Sequence, residues 1–305
     1  MNCRYYEYAS LRIASEIPLP EWAPFEQTSQ AGDPDVVISI DEVPDHDLAA
    51  GGNRRVITAD ECRFLVPGVG RFRVHDGRAI VVAPARGAAL HQLRPWLIGS
   101  AWGSLCYQRG LFFIHASAVL VDHEAVLFCA KSNGGKSTIA AQLNTRGHAL
   151  LSDDLCHLDI PAHGLPTVYP SAPRLKLWSD TLDQLGWTED LEPDHIRTGK
   201  FHVTRTSYGL AHPAPVRGIY LLEWGEFRIH RLSGLTALSR FLSASTYRAK
   251  LLESTGQFSR HSSRSMTLLQ RVPVWELRRP RDLAVMPKAT DLLASHWSDD
   301  RIIAK

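Results

Sequence analysis

The chain has 305 residues, of which 44% are hydrophobic and 22% are charged, as in an ordinary soluble globular protein with room for one large α/β domain or two smaller ones. The formal net charge of +2 gives no reason to expect a nucleic acid or an anionic membrane as a partner. No apolar run approaches membrane-spanning length and the first residues lack a signal-peptide core, so we expect a cytoplasmic protein.

The first part of the chain, residues 1–86, contains short β-like runs separated by turns. Six strands are predicted there, at residues 8–17, 35–40, 54–58, 63–66, 71–74 and 78–82. Asp76-Gly77 is a dipeptide typical of a tight hairpin turn. The pattern therefore predicts an N-terminal, mostly antiparallel β lobe over residues 1–86 and a second domain over residues 87–305.

The second domain mixes helical and strand patterns, which predicts an α/β (α+β) fold. Helices are predicted at residues 88–108 and 179–185 and directly after residue 136, and strands at residues 111–121, 125–129, 149–151, 156–160, 219–224 and 227–232. The strand at 149–151 is expected to end at Ser152-Asp153-Asp154. A helical tail is expected to complete the chain.

A glycine-rich segment, Ala130 to Thr138, lies between the buried strand at 125–129 and the following helix, which is the place of a phosphate-binding loop (P-loop). Its backbone N–H groups can wrap a phosphate, Lys136 would reach the β- and γ-phosphates, and the Ser137 hydroxyl would bind Mg²⁺. The predicted nucleotide-binding residues are Ser132, Asn133, Gly134, Gly135, Lys136, Ser137 and Thr138. The alternative is an ordinary glycine-rich turn with Lys136 merely exposed.

One position departs from the P-loop pattern, because Ala130 stands where the motif has glycine. A methyl group restricts φ, so the loop must begin in a conformation that an L-residue tolerates.

Two aspartates, Asp153 and Asp154, are expected at the carboxyl end of the next strand. A P-loop kinase needs one acidic side chain to hold Mg²⁺ and a carboxylate that accepts the proton of the attacking hydroxyl. Neighbouring residues on an extended chain point to opposite sides, so we expect the two carboxylates to have different roles. The alternative is that Ser152-Asp153 caps a turn.

Taken together, these motifs resemble the catalytic core of HPr serine kinase/phosphorylase over about residues 110–160. In that family a strand with a histidine, here His115, precedes the P-loop strand. The helix after the loop ends in Arg-Gly-His, here residues 146–148, and leads to paired aspartates at nearly this spacing. The resemblance implies the P-loop fold on a mixed sheet shared with phosphoenolpyruvate carboxykinase, with ATP and Mg²⁺ as cofactors.

The chain departs from true HPr kinases at Ala130, at Thr138, where the family usually has glutamate, and in its N-terminal region. It resembles the shorter HPr-kinase-related proteins found beside peptide-modification genes, which have a comparable β lobe, a strand like residues 109–117 and a segment like residues 173–178. Some of these proteins phosphorylate a serine of a lasso-type precursor peptide. This resemblance implies a peptide or small-protein acceptor other than HPr, and it is compatible with a homo-oligomer, because HPr kinases form hexamers.

By the same resemblance, Asp153, Asp154, His115 and Lys136 are predicted to be catalytic. Ser137 and Asp154 are taken as the magnesium ligands, although the resemblance leaves open which aspartate is the base. For His115 the alternative is a core histidine bonded to the backbone.

Three basic residues are candidates for substrate contacts. Arg174 and Lys176 alternate on an extended segment and could face phosphates or an acidic peptide, or could simply lie on a solvated strand edge. Lys200 lies in a polar segment, residues 188–207, that could fold over the site.

The leading hypothesis is an ATP- and Mg²⁺-dependent kinase that transfers the γ-phosphoryl group to a serine of a peptide or small protein. A small-molecule hydroxyl is an alternative acceptor. A non-catalytic nucleotide-binding regulator is a third interpretation, suggested by Ala130.

Overall fold

A computed structural model describes residues 3–29, 32–44, 55–172, 174–194, 197–204 and 212–303, with side chains up to residue 298. The chain forms two compact units, Met1–Phe113 with Tyr247–Arg264, and Ile114–Thr246 with Ser265–Lys305. These units do not divide at residue 86, where the sequence placed the domain boundary. In the described part of the chain, no helix is both long enough and apolar enough to cross a membrane.

The first unit is built on an eight-stranded sheet. Its strands are β1 (Arg4–Tyr8), β2 (Leu11–Ser15), β3 (Glu26–Gln27), β4 (Val36–Ile40), β5 (Arg55–Ile57), β6 (Glu61–Val66), β7 (Gly70–His75) and β8 (Ala79–Pro84). Their order is β3-β1-β2-β4-β8-β7-β6-β5. The pairs β2–β4 and β4–β8 are parallel, and the other neighbours are antiparallel.

The prediction of one strand over residues 8–17 is wrong. Ala9 and Ser10 have positive φ, and the chain turns there, so that β1 and β2 pair as an antiparallel hairpin. The turn signal is weak because only Ser10 is a typical turn former, and no glycine, proline, asparagine or aspartate stands beside it.

The α-helices within the described residues are α1 (Leu90–Trp96), α2 (Trp102–Gln108), α3 (Lys136–Thr145), α4 (Ser179–Leu185), α5 (Gly234–Ser245), α6 (Ala249–Ser254), α7 (Phe258–Arg271) and α8 (Met286–Ile303). A π-helical turn joins α1 to α2, so that residues 90–108 are continuously helical, close to the predicted range. Gln108 at the end of α2 ties this helix to the sheet of the first unit: its side chain accepts from Gly77 N at 3.0 Å and donates to Val74 O at 3.1 Å. This attachment explains why residues 87–113 belong with the β lobe.

The second unit contains a seven-stranded mixed sheet and a three-stranded antiparallel sheet. Its strands are β9 (Phe113–Val121), β10 (Glu124–Cys129), β11 (Leu150–Asp159), β12 (Thr167–Val168), β13 (Arg174–Trp178), β14 (Leu191–Pro193), β15 (Lys200–Thr204), β16 (Ala214–Trp224), β17 (Arg228–Leu232) and β18 (Val274–Arg279). The large sheet has the order β10-β9-β11-β12-β16-β18-β17 with a further β10–β16 pairing, and the small sheet has the order β13-β15-β14. The mixed α/β class predicted from the sequence is confirmed.

Strand β10 has neighbours on both sides, since it pairs antiparallel with β9 and parallel with β16. All of its residues from Ala125 to Cys129 are fully buried. A strand buried on both faces is a continuous apolar run, which is why the sequence identified this one correctly. The segment that follows it is therefore anchored on a rigid strand.

The prediction of a helical tail is wrong at residues 274–279, which form strand β18. This strand lies between β16, to which it runs parallel, and β17, to which it runs antiparallel. Val274 and Trp275 are typical strand formers, and Pro273 and Pro280 bound the run, so a strand signal was present.

The core of the second unit depends on β18. Leu277 is fully buried in a cluster with side chains of β10, α3 and α8. We expect Leu277→Ala to destabilise the protein by about 2–5 kcal/mol, because it removes buried methyl groups and leaves a cavity. Leu235→Ala, at an exposed position of α5, is the control and should change stability by no more than about 0.5 kcal/mol. Urea unfolding followed by circular dichroism measures both, and equal transition midpoints would contradict the placement of β18 in the core.

Candidate active site

The glycine-rich segment forms a tight loop from the end of β10 to the start of α3. Asn133 and Gly135 have φ of 63° and 80°, and Gly134 N donates to Lys131 O at 2.9 Å. Gly135 is the N-cap of α3, and its carbonyl accepts from Ile139 N at 3.0 Å. The N–H groups of the first turn of α3 have no acceptor further back in the helix, so they can be directed at an anion.

Ala130 is accommodated without the left-handed conformation that glycine would permit. It is buried, and it does not belong to the residues with positive φ. A side chain at position 134 would overlap the methyl group of Ala130. The methyl group therefore occupies space that Gly134 leaves open, and the loop tolerates the departure from the motif.

Lys136 is buried, and its Nζ donates to Ala130 O at 2.9 Å. Burial lowers the pKa of Lys136, while the charge of Asp153 opposes that change. The ammonium group is thus held across the loop close to both aspartates.

The Asp153 carboxylate is the best-connected acid of the site. Ser137 Oγ lies 3.0 Å from each of its oxygens, and Ser117 Oγ donates to Oδ1 at 2.5 Å. The backbone N–H of Lys176 donates to Oδ2 at 3.3 Å. Burial raises the pKa of Asp153, and the bonds from Ser117 and Ser137 counteract it in part.

Asp154 has different neighbours and is more open, with 33% of its side chain exposed. His115 Nδ1 lies 3.0 Å from the Asp154 carboxylate and 3.0 Å from its carbonyl oxygen, and Lys176 Nζ lies 3.9 Å from Oδ2. Burial alone would raise the pKa of Asp154, but the His115 hydrogen bond and the Lys176 charge outweigh it and hold this pKa below its ordinary value. The carboxylate is therefore ionised at neutral pH.

The strand that carries the aspartates is longer than predicted. β11 continues through Ser152-Asp153-Asp154 to Asp159. The sequence predicts that the strand ends at Ser152-Asp153-Asp154. Asp154 has a φ of 75° in the middle of this strand. Aspartate tolerates this left-handed conformation better than most residues, and such local strain is common at functional sites.

The three-stranded sheet has an apolar and a polar face. Leu175, Leu177 and Val203 belong to the buried core, while the residues that alternate with them are polar apart from Trp178. Lys176 lies beside the aspartates. Arg174 instead pairs with Glu192 at 2.5 Å, and Lys200 lies over the Trp178 ring, 5.4 Å from its centroid.

The predicted catalytic residues His115, Lys136, Asp153 and Asp154 thus lie in one group with Ser137. Sequence reasoning missed Ser117 and Arg279. Arg279 Nη2 donates to Gly134 O at 3.1 Å, and its guanidinium stacks on Trp224, 4.2 Å from the ring centroid. The alternation of β9 could have drawn attention to Ser117, a polar residue within an apolar strand. Arg279 was hidden by the missed strand β18.

The donor set suits a magnesium ion. Ser137 and Asp153 offer hard oxygen ligands, and Mg²⁺ is usually bound by one or two protein groups together with phosphate oxygens and water. Among the described residues there is no cluster of three or more His, Cys, Asp or Glu side chains arranged to hold a metal on their own.

No protein-family model matches the sequence, and no curated protein matches it. Among solved structures, the Hpr(Ser) kinase/phosphatase from Coxiella burnetii is similar, with a TM-score of 0.33 and 14% sequence identity. The alignment covers 62% of this chain and 98% of that chain. A likeness at this level carries no argument about the function of this chain.

The loop geometry predicts a specific sensitivity at Gly135. Its φ is 80°, and a side chain there would overlap the Arg279 guanidinium. Gly147 is a matched control, with a φ of 90° and no neighbouring atom within 4 Å of an added Cβ. We expect both alanine variants to lose about 1–2 kcal/mol from the left-handed conformation, and Gly135→Ala to lose clearly more. Thermal unfolding of both variants measures this, and equal losses would show that Arg279 does not pack on the loop.

Proposed function

We propose that the protein is an ATP- and Mg²⁺-dependent kinase that transfers the γ-phosphoryl group to a serine hydroxyl of a peptide or small protein. One observation carries the proposal: Ser137, in the first turn of the P-loop helix, bonds to Asp153, and Asp154 with His115 stands directly beside them. A phosphate loop, a magnesium-type ligand pair and a second ionised carboxylate are the parts that phosphoryl transfer needs.

In this proposal Ser137 and Asp153 hold the magnesium ion, which reverses the choice of Asp154 made from the sequence. The buried Asp153 carboxylate has a raised pKa, so a cation beside it would offset the cost of its burial. When bound, Mg²⁺ would neutralise negative charge on the phosphate oxygens. Ser117 orients the carboxylate by donating a hydrogen bond to Oδ1.

The loop binds the polyphosphate of ATP through backbone N–H groups of residues 132–138 and through Lys136. The Lys136 ammonium already lies at the loop, bonded to Ala130 O, so that only its hydrogen-bond partner has to change when phosphate binds. Burial disfavours the protonated form of Lys136 and the charges of Asp153 and Asp154 favour it, and the ammonium group would contact the β- and γ-phosphates.

Asp154 is the general base of the proposal. It takes the proton of the acceptor hydroxyl while the hydroxyl oxygen forms a bond to the γ-phosphorus and the bond from that phosphorus to the β,γ-bridging oxygen breaks, which releases ADP. His115 orients the carboxylate, and Lys176 lies next to it. The exposed part of Asp154 gives an acceptor access.

The acceptor would be an anionic peptide or small protein. The polar face of the three-stranded sheet places Lys176 beside Asp154 and Lys200 further along the same face, so cationic groups border the site. The resemblance to kinases of lasso-type precursor peptides points to the same class, and ATP as a substrate fits a cytoplasmic location.

Replacing each aspartate by asparagine in turn tests their separate roles. Asp154→Asn should lower kcat by about 10²–10⁴-fold, because the base is lost, with little change in the affinity for ATP. Asp153→Asn should instead raise the Mg²⁺ concentration needed for half-maximal activity. Asp159→Asn, on the exposed end of the same strand, is the control and should behave as wild type. If Asp154→Asn retains full activity, the assignment of the base fails.

The acceptor class is tested by mass spectrometry after incubation with ATP and Mg²⁺. The panel contains a serine-containing precursor peptide encoded nearby, HPr and free serine. We expect one added phosphoryl group on the peptide, and none with Lys136→Ala, because the phosphates lose their cation. Transfer to free serine alone would favour a small-molecule kinase. ATP binding without transfer to any acceptor would favour a regulator.

A further inference from the structure

A large aromatic side chain, Trp224, is exposed beside the phosphate loop. It is the last residue of β16 and keeps 40% of its surface exposed. Strands β10, β16 and β18 run parallel, so their carboxyl ends meet at one edge of the sheet, where ligands of α/β proteins commonly bind. The indole reaches to within 3.7 Å of the point at which a Cβ of Gly135 would stand.

Arg279 holds this ring against the loop. The two residues are register partners in β16 and β18, and the guanidinium lies 4.2 Å from the Trp224 ring centroid. Arg279 is 1% exposed, and its Nη2 donates to Gly134 O at 3.1 Å. Its Nε and Nη1 have no acceptor among the described residues. Burying a cation with so few hydrogen-bond partners lowers the stability of the ligand-free protein. The stacking of Arg279 on the ring therefore comes at a cost in folding free energy.

The two sides of β10 carry different groups. On the β9 and β11 side lie Ser117, His115, Asp153 and Asp154, the groups proposed for magnesium binding and proton transfer. On the β16 and β18 side lie Trp224 and Arg279. If the terminal phosphate of a nucleotide lies at the aspartates, its nucleoside must lie on the far side of the loop. Trp224 is on that side.

The charge around the ring also favours an anionic ligand. The exposed Arg281 guanidinium lies 5.9 Å from the Trp224 centroid, in addition to Arg279. Cations beside an exposed indole disfavour an apolar protein partner and favour a phosphate-bearing ligand with a flat ring.

We propose that the exposed face of Trp224 is the stacking platform for the base of the bound nucleotide, and that Arg279 is the positioning residue that fixes this platform against the phosphate loop. The proposal rests on the proposed function, because it takes the loop as the site of the phosphates. It adds a nucleoside subsite on the opposite side of the loop from the aspartates.

The experiment compares the dissociation constants of ATP and inorganic tripolyphosphate, both with Mg²⁺, by titration calorimetry. Stacking of one base on an aromatic side chain should make ATP bind about 5- to 150-fold more tightly than tripolyphosphate. Trp224→Ala should abolish this preference and leave tripolyphosphate binding unchanged, whereas Trp224→Tyr should keep most of it. Phe258→Ala, another exposed aromatic position, is the control and should keep all of it.

Arg279→Met tests the positioning role. The preference for ATP over tripolyphosphate, measured as the ratio of their dissociation constants, should fall, and Arg279→Lys should restore part of it because it keeps the cation. The melting temperature of the ligand-free protein should not decrease, since a buried cation with unpaired donors is removed. An equal loss of affinity for ATP and for tripolyphosphate would show that Arg279 supports only the loop. That result would overturn its role at the ring.

The outcomes separate the two proposals. If the wild type prefers ATP and Trp224→Ala does not change that preference, or if the wild type binds both ligands equally, the platform is refuted while the phosphate loop stands. If the wild type binds neither ligand, the proposed function and the platform fail together.

Discussion

The carboxylate of Asp153 is the point on which the arrangement of the candidate site depends. It accepts hydrogen bonds from Ser117 on β9, from Ser137 on α3 and from the backbone of Lys176 on β13, and it lies itself on β11. One side chain therefore joins four elements. Burial of a carboxylate is unfavourable, and these donors are what makes it tolerable.

The two aspartates are adjacent in sequence but have different neighbours. Neighbours on a regular strand face opposite sides, yet both carboxylates have Lys176 as a neighbour, and the left-handed backbone of Asp154 departs from a regular strand. The two acids consequently have opposite electrostatic surroundings. Burial raises the pKa of Asp153, whereas at Asp154 burial is outweighed by the combined effect of His115, Lys176 and Lys136, which lowers the pKa. This division is the physical basis for giving the two residues different roles in the proposal.

Local patterns predicted the elements that carry their own signal. β10 was identified by its continuous apolar run and the start of α3 by the glycine-rich loop, and α4 was predicted over its observed range. The misses have local causes as well. β1 and β2 were merged because Ser10 alone is a weak turn signal, and β11 was ended early because paired aspartates indicate a turn. β18 was assigned to a helical tail, and Arg279 was lost with it.

The sequence by itself determined the components of the candidate site and their order: a strand, a glycine-rich loop with Lys136 and Ser137, and paired aspartates. Only the tertiary structure decided which aspartate meets Ser137, that Arg174 pairs with Glu192, and that Arg279 lies against the loop. The reason is that these contacts join residues 16, 18 and 145 positions apart. Such contacts follow from strand order and register, which are fixed by the packing of the whole sheet and leave no local mark on the chain.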